Sequence, residues 1–325
     1  MERQRRFHFL PVLASGMLVM LVVAGGVFGK YRAREAAGDA ERGRKFGATY
    51  MTMNNPFYEI IDDELRSVIE SRGDKLITRD PALNVEKQIE QVKEMIERKV
   101  EAIFINPVDW KVVGSALEEA VQAGIPVIVV DSEVFDAELA ACTVVSDNYQ
   151  AGVQCAQHMV RNYDRGKILL LTHGAAKSGL DRICGFRDEI AEYPQFCILA
   201  EEECLGQLEL AMPVTEKLLE EYPEADMIMC LNDVAAMGAM AALKDAGLTG
   251  RFAVYGVDGS PDGKSMIAEG MMAATAAQFP RRIGREAAEA AYRILEGEEV
   301  EPVIRIGTEL ISRDNLEEYG TDSWQ

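Results

Sequence analysis

The sequence lacks an excess of basic side chains: 34 lysine and arginine residues face 54 aspartate and glutamate residues, a formal net charge of -20. This charge opposes binding to nucleic-acid phosphates. Histidine is scarce, since only His8, His158 and His173 occur. Cys155 and His158 lie three residues apart, but no second ligand pair accompanies them, so we expect no metal site. The sequence offers neither a credible nucleophile and base pair nor a nucleotide-type glycine loop, which argues against an enzyme and against a cofactor.

Cysteine is absent before Cys142, which excludes a lipid-modified cysteine at the end of an export signal. The six cysteines that follow are loosely spaced, and a chain of 325 residues needs no disulfide scaffold. Cys142, Cys197 and Cys230 lie in short apolar runs, where a free cysteine behaves as a small hydrophobic residue. We therefore expect mostly buried thiols.

The first 34 residues contrast with the acidic remainder, because they hold six basic side chains and one acidic side chain. Within them, 23 residues (7–29) carry no formal charge. This length favours a retained membrane anchor. Pro11 and the small residues before Lys30 are also compatible with a signal peptide that is cleaved. We predict that residues 1–34 are a signal or anchor with a hydrophobic helix, that residues 35–44 are a tether, and that the body is extracytoplasmic.

From residue 45 onward, short β-rich runs alternate with amphipathic stretches, a pattern typical of βαβ units. In the first amphipathic stretch, Ile61, Leu65 and Ile69 share one helical face. The pattern predicts an α/β fold with doubly wound parallel sheets. The predicted strands span residues 46–51, 76–79, 102–105, 127–131, 143–146, 167–171, 197–200, 227–230, 252–257, 273–277 and 303–306.

Polar side chains follow most of these predicted strands. Open parallel sheets bind ligands outside the carboxyl ends of their strands, so we expect these side chains to share one polar cleft. They belong to Asn54, Asn55, Asn106, Asp131, Ser132, Asp147, Asn148, Asn232, Asp233, Asp258 and Gln278.

The ordered set of strand-end motifs resembles a known family. These motifs are Asn54-Asn55-Pro56-Phe57-Tyr58, Ile105-Asn106-Pro107, Val130-Asp131, Ser146-Asp147-Asn148, Leu231-Asn232-Asp233 and Gly256-Val257-Asp258-Gly259. Over residues 45–310 the chain resembles a type I periplasmic sugar-binding protein, closest to the ribose-binding group. The resemblance implies two lobes joined by a hinge with three chain crossings. It places residues 45–145 and 279–306 in the first lobe, 146–278 and 307–318 in the second, and 319–325 in a tail.

The resemblance also implies a set of ligand contacts. A sugar ring has an apolar face and a rim of hydroxyls, so it suits aromatic side chains combined with a few polar groups. Carboxylates accept hydrogen bonds from adjacent hydroxyls, and amides both donate and accept them. The family's contacts fall on Asn55, Phe57, Tyr58, Asp131, Arg182, Asn232, Asp258 and Gln278, and we add Ser132 beside Asp131.

Three departures from ribose binders bear on the ligand. Met51 replaces a serine in the first strand, Ser132 replaces an arginine, and the aromatic residue expected from the second lobe falls near Gly206 or Gln207. A missing guanidinium and a missing ring predict a larger cavity. We therefore expect another pentose, a hexose, a cyclitol or a substituted sugar in place of ribose.

Some of these residues have ordinary structural interpretations as well. In the Asn232-Asp233 pair we assign the helix cap to Asp233 and the ligand contact to Asn232. Arg182 could instead pair with a neighbouring aspartate on a helix surface. For His173, a solvated loop position is favoured over a place at the mouth of the cleft.

The resemblance implies capture of a monosaccharide or related polyol by hinge closure, for delivery to the permease of an ABC-type sugar importer. A retained anchor would equally suit a sensor that presents its ligand to a histidine kinase or chemoreceptor.

A lac-type repressor shares the fold but needs an N-terminal helix-turn-helix, where this chain has a hydrophobic run. An exported enzyme on this fold would need catalytic groups that the sequence does not offer. We expect a monomeric body that reaches the membrane through its N-terminal segment.

Overall fold

The computed structural model describes residues 43–325. The predicted signal or anchor and almost all of the predicted tether lie outside the described residues. Within residues 43–325, no helix combines the length and the apolar character that crossing a membrane requires.

The described chain alternates strands and helices almost throughout. Its strands are β1 Lys45–Thr49, β2 Lys75–Arg79, β3 Ala102–Ile105, β4 Val127–Val130, β5 Cys142–Ser146, β6 Gly166–Thr172, β7 Phe196–Glu203, β8 Met227–Cys230, β9 Ala253–Asp258, β10 Ala274–Ala277, β11 Val303–Ile306 and β12 Glu309–Ser312. Its helices are α1 Pro56–Ser71, α2 Val85–Glu97, α3 Gly114–Gln122, α4 Asn148–Asn162, α5 Lys177–Ala191, α6 Leu208–Glu221, α7 Asp233–Asp245, α8 Pro261–Ala268, α9 Pro280–Leu295 and α10 Leu316–Tyr319, with a 3-10 turn at Ala137–Leu139.

The strands form two six-stranded sheets, each at the centre of one lobe. The first sheet has the order β11-β5-β4-β3-β1-β2 and the second the order β12-β10-β9-β8-β6-β7. Every neighbouring pair is parallel except β10 and β12. Inner strands such as β4 are buried along their whole length, as expected for a parallel sheet with helices on both faces. The predicted α/β fold with two parallel-sheet lobes is therefore confirmed.

The chain passes between the two sheets three times before its C-terminal segment: after β5, after β10, and between β11 and β12. The sequence predicted eleven of these strands within a few residues, although β7 extends further, to Glu203. It missed β12, a four-residue antiparallel edge strand that begins with the exposed Glu309 and lacks a continuous apolar run.

The cysteines agree only in part with the expectation of buried thiols. All six are free, and Cys142, Cys155, Cys204 and Cys230 are buried. Cys197 is exposed, which corrects the prediction drawn from its apolar neighbours. Cys197 lies on the edge strand β7, where seven of the eight residues are half-buried or exposed.

Candidate functional site

The carboxyl ends of the two sheets face a common enclosed cavity. Eight of the nine predicted site residues line it. The lining residues are Met51, Asn55, Phe57, Tyr58 and Asp131 from the first lobe, and His173, Ala176, Ser178, Arg182, Leu205, Gly206, Gln207, Leu231, Asn232, Asp258 and Gln278 from the second.

The start of helix α1 supplies the aromatic wall of the cavity. Asn55 caps this helix, because its Oδ1 accepts a hydrogen bond from the Phe57 backbone N at 3.0 Å. The rings of Phe57 and Tyr58 are both buried and meet edge to face, with centroids 5.6 Å apart. The Asn55 cap and the contact between the two rings together fix the positions of Phe57 and Tyr58 in the cavity wall.

Asp131 follows the buried strand β4 and faces the same aromatic wall. Its Oδ2 accepts hydrogen bonds from Tyr58 Oη at 3.3 Å and from Asn106 Nδ2 at 3.0 Å. Asn106 is itself held, because its Oδ1 accepts from the Met51 backbone N. Burial raises the pKa of Asp131 to about 6, against the opposing effect of the Arg182 guanidinium.

On the second lobe, Arg182 is held by a close packing of helices α4 and α5. Glycines make this approach possible: a Cβ on Gly152 would lie 1.9 Å from the Arg182 carbonyl O, and one on Gly185 would lie 2.1 Å from the Tyr149 carbonyl O. The buried guanidinium donates from Nε to Asn148 Oδ1 at 2.9 Å and from Nη1 to the Leu231 carbonyl O at 3.0 Å. The alternative pairing of Arg182 on a helix surface is therefore wrong.

Asp258 ends strand β9 on the same side of the cavity. Its Oδ1 lies 3.8 Å from Arg182 Nη1 and accepts a hydrogen bond from Gln278 Nε2 at 2.7 Å. Burial raises the pKa of Asp258 well above its ordinary value. Arg182 acts in the opposite direction, and the nearby Asp233 adds to the rise.

Backbone strain marks both carboxylates of the cavity. The φ angle of Asp131 is 65° and that of Asp258 is 135°, in a region that side chains other than glycine rarely adopt. Such strain is found preferentially at binding and active sites, where the surrounding structure holds it in place.

Asn232 both caps a helix and lines the cavity. Its Oδ1 accepts from the Ala235 backbone N at 2.8 Å, and its Nδ2 donates to the Gly206 carbonyl O at 3.2 Å. The cap prediction for Asp233 is wrong. Asp233 is buried behind the cavity, where it accepts hydrogen bonds from the backbone N and Oγ of Ser260 and from Thr275 Oγ1.

Ser132 is the one predicted site residue that does not line the cavity. Its Oγ accepts a hydrogen bond from the Ser178 backbone N at 3.1 Å, so it contacts the other lobe. The expectation of a solvated loop position for His173 is wrong, because this residue is 4% exposed and lines the cavity. His173 follows β6 and Gln207 lies shortly after β7. The rule that ligands bind after strand ends could therefore have identified both as cavity residues from the sequence.

Three acceptor atoms at this cavity have no hydrogen-bond partner within residues 43–325. They are Asp131 Oδ1, Asp258 Oδ2 and Gln278 Oε1. Buried polar atoms in folded proteins are nearly always paired, so three such atoms at one cavity call for an explanation. They can accept hydrogen bonds from a small molecule held between the lobes. Over the same residues, no group of three or more histidine, cysteine, aspartate or glutamate side chains could hold a metal ion.

Comparison with known proteins identifies the family. Residues 46–299 match the model of the periplasmic binding protein domain, and the chain belongs to this family. Membership implies a location outside the cytoplasm. The relatives are solute-binding proteins of transport systems, and this protein is likewise not an enzyme.

Two curated relatives and two solved structures illustrate the match. The chain is 30% identical over 262 residues to the ribose import binding protein RbsB of Escherichia coli (strain K12), covering 80% of this chain and 88% of the relative. It is 27% identical over 263 residues to a xylitol-binding protein of Mycolicibacterium smegmatis, covering 79% and 74%.

Among the structures, an ABC transporter solute binding protein of Mycobacterium smegmatis with bound glycerol is 30% identical, with a TM-score of 0.82 and coverage of 87% of this chain and 99% of that chain. The Caulobacter myo-inositol binding protein bound to myo-inositol is 28% identical, with a TM-score of 0.80 and coverage of 84% and 95%.

Proposed function

We propose that the protein binds a monosaccharide or a related polyol between its lobes and delivers it to an ABC-type sugar importer. The observation that carries this proposal is the set of unpartnered acceptors at the cavity: Asp131 Oδ1 on the first lobe, and Asp258 Oδ2 and Gln278 Oε1 on the second. Three acceptors call for a ligand with at least three donors. Adjacent hydroxyl groups supply such donors on a compact molecule.

The remaining groups of the cavity favour a neutral ligand. Two carboxyl groups against one guanidinium offer no net positive charge, which disfavours phosphates and carboxylates. Phe57 and Tyr58 offer apolar surface for the C-H face of a ring. The relatives named above include proteins that bind ribose, xylitol, myo-inositol and glycerol, all of them polyhydroxy compounds.

Ribose itself is not the ligand we expect. The serine at position 132 contacts the other lobe, so no guanidinium enters the cavity beside Asp131. Gly206 lines the cavity with a φ of 65° and has no side chain, so this position contributes no ring to the cavity wall. In place of ribose we expect another pentose, a hexose, a cyclitol or a substituted sugar, and the cavity, about 20 Å³ in this closed arrangement, must widen to admit it.

Binding requires the lobes to separate. Asn55, Asp131, Arg182, Asp258 and Gln278 are each 6% exposed or less, so a ligand reaches them only when the cleft opens. We propose that the lobes comprise residues 45–145 with 279–306 and residues 146–278 with 307–318, and that they close about the three crossings. Contacts from both lobes would then give the ligand a higher affinity for the closed form than for the open form.

A thermal-shift screen of the full chain tests this proposal. The panel contains D-ribose, D-xylose, D-allose, D-fucose, xylitol, myo-inositol and glycerol, with purine nucleosides and amino acids as contrasting classes. A compound present at 100 times its dissociation constant stabilises the folded state by about 2.7 kcal/mol. We expect one of the sugars or polyols to raise the melting temperature. A response confined to nucleosides or amino acids, or none at all, would contradict the proposal.

A further inference from the structure

The C-terminal segment lies on the second lobe and contacts the first lobe through one side chain. Leu316 and Tyr319 on helix α10 pack against the hydrophobic core of the second lobe. Trp324, a few residues later, packs against the core of the first lobe. Within residues 323–325, which we term the strap, the Trp324 side chain therefore bridges the two lobes.

The second lobe holds the strap through a buried lysine and a glycine. Lys264 on helix α8 has no exposed surface, and its Nζ donates a hydrogen bond to the Ser323 carbonyl O at 2.6 Å. The Gln325 side chain lies beside Gly259, where an added Cβ would be 3.2 Å from Gln325 Oε1. Gly259 directly follows Asp258, so the strap is fastened next to the cavity.

On the first lobe, the strap contacts a side chain of the candidate site. The Trp324 ring meets Phe57 at an interplanar angle of 63°, with centroids 5.7 Å apart. Phe57 contacts Tyr58 as well and lines the cavity. The Phe57 ring is therefore held between Tyr58 and the strap.

Trp324 also walls a second space between the lobes, a cavity of about 390 Å³. Asn55 and Asp258 line both this space and the candidate site. Motion of the strap would thus change the surroundings of two site residues from opposite lobes.

We propose that Trp324 is a positioning residue of the candidate site, which sets the Phe57 ring from outside the cavity while the strap holds the lobes in their closed arrangement. The inference rests on the proposed function. Phe57 and Tyr58 are the only phenyl or phenol rings on the described cavity wall, and both come from the first lobe. The strap is held by the second lobe and contacts Phe57 of the first lobe. The position of the Phe57 ring therefore depends on closure of the lobes.

Fluorescence gives a direct test, because the chain has only two tryptophans. In the Trp110→Phe variant, Trp324 is the sole indole. The titrant is whichever sugar or polyol of the screen stabilises the wild type most. We expect a blue shift of Trp324 emission whose midpoint matches the dissociation constant found by calorimetry, because closure brings the half-buried Trp324 ring against Phe57. An unchanged spectrum at saturation would overturn the inference.

A double-mutant cycle tests whether Trp324 acts through Phe57. Trp324→Ala should weaken binding of the same compound by about fivefold, mainly through faster dissociation, and Trp324→Phe should restore most of it. In a Phe57→Ala background the effect of Trp324→Ala should disappear. Trp324→Leu, which keeps apolar bulk, replaces the alanine variant if that variant fails to fold.

Additive losses, or wild-type affinity in Trp324→Ala, would overturn the inference and leave the proposed function intact. If the wild type binds none of the sugars or polyols, the proposed function fails first and the inference with it.

Discussion

The two carboxylates of the cavity, Asp131 on the first lobe and Asp258 on the second, have much in common. Each lies at the carboxyl end of a buried inner strand and has a positive φ angle. Each also has one oxygen that is hydrogen-bonded and one that has no partner among residues 43–325. Equivalent positions on two similar lobes thus yield equivalent acceptors.

Their partners differ. Asp131 is held by two neutral donors of its own lobe, Tyr58 and Asn106. Asp258 has one neutral donor, Gln278, and lies close to the Arg182 guanidinium and to a second buried carboxyl, Asp233. The comparison teaches that the first lobe orients its carboxylate by two hydrogen bonds, whereas the second lobe places its carboxylate next to the guanidinium, whose charge acts on both. Changes of charge should therefore affect the second lobe more.

The largest effect is expected for Arg182→Met. This change leaves Asp258 without its nearby positive charge and leaves Asn148 Oδ1 and the Leu231 carbonyl without their donor. We expect the affinity for the best compound of the screen to fall more than about 100-fold, and the free energy of unfolding to fall by about 3 kcal/mol. Calorimetry and urea unfolding measure the two quantities.

The matched control is Arg187→Met on the same helix, where an exposed arginine pairs with Glu201 on the surface. It should change both quantities little. Binding of Arg182→Met within threefold of the wild type would show that charge compensation on the second lobe serves the fold alone.

A pH dependence should follow from the burial of Asp131. Its pKa is raised to about 6, so the closed protein holds this proton more tightly than the unfolded chain does. Protonated Asp131 therefore contributes about 3 kcal/mol to the free energy of unfolding. This contribution is fully present below about pH 4 and is lost as the pH rises through about 6. Asp131→Asn cannot ionise at this position, so its melting temperature should rise relative to the wild type between pH 4 and pH 7.

The measurement is thermal unfolding of the ligand-free protein over this pH range. Asp164→Asn, at an exposed position, serves as the control and should run parallel to the wild type. A parallel profile for Asp131→Asn as well would show that Asp131 is solvated in the ligand-free protein, as an open cleft requires, and would contradict the predicted pH dependence.

The two carboxylates can be compared directly by amide substitution. An amide keeps an acceptor oxygen but removes the charge that strengthens hydrogen bonds from hydroxyls. We expect Asp131→Asn to weaken binding by about tenfold and Asp258→Asn by about thirtyfold, because the second change also leaves a buried guanidinium uncompensated. Calorimetry at pH 7.5 gives both values. Equal losses would mean that the two lobes hold their carboxylates in equivalent ways.

The smallest effect is expected for Ser132→Ala. The Ser132 hydroxyl joins the lobes through the Ser178 backbone N, and water replaces this hydrogen bond when the cleft opens. We therefore expect an affinity loss of only about threefold, mostly as faster dissociation in stopped-flow experiments. A loss above tenfold would place Ser132 in contact with the ligand and restore the original sequence-based assignment.

Strand ends were predictable from sequence because a buried parallel strand and the polar residue after it are both local features. Asp131 follows Val127–Val130, and Asn232 follows Met227–Cys230 after one further residue, so the rule for open α/β sheets was enough to place both at the cleft. His173 obeys the same rule, yet histidine is also common in solvated loops, and the sequence pattern favoured the loop.

Other assignments depended on distant partners. Asp233 was read as a helix cap because Asp often occupies that position, but its buried surroundings are made by Ser260 and Thr275 from later strands and loops. The C-terminal residues were read as a polar tail, since nothing nearby in sequence reveals the ring of Phe57 that Trp324 contacts.

By itself, the sequence determined the alternation of strands and helices, the two-lobed family and most of the side chains that line the cleft, because each depends on local periodicity or on an ordered set of motifs. Only the tertiary structure decided that Ser132 contacts the other lobe, that Asp258 lies 3.8 Å from Arg182, and that Trp324 contacts Phe57. Those contacts join residues far apart in the chain, and their geometry exists only once the two lobes have folded and closed on each other.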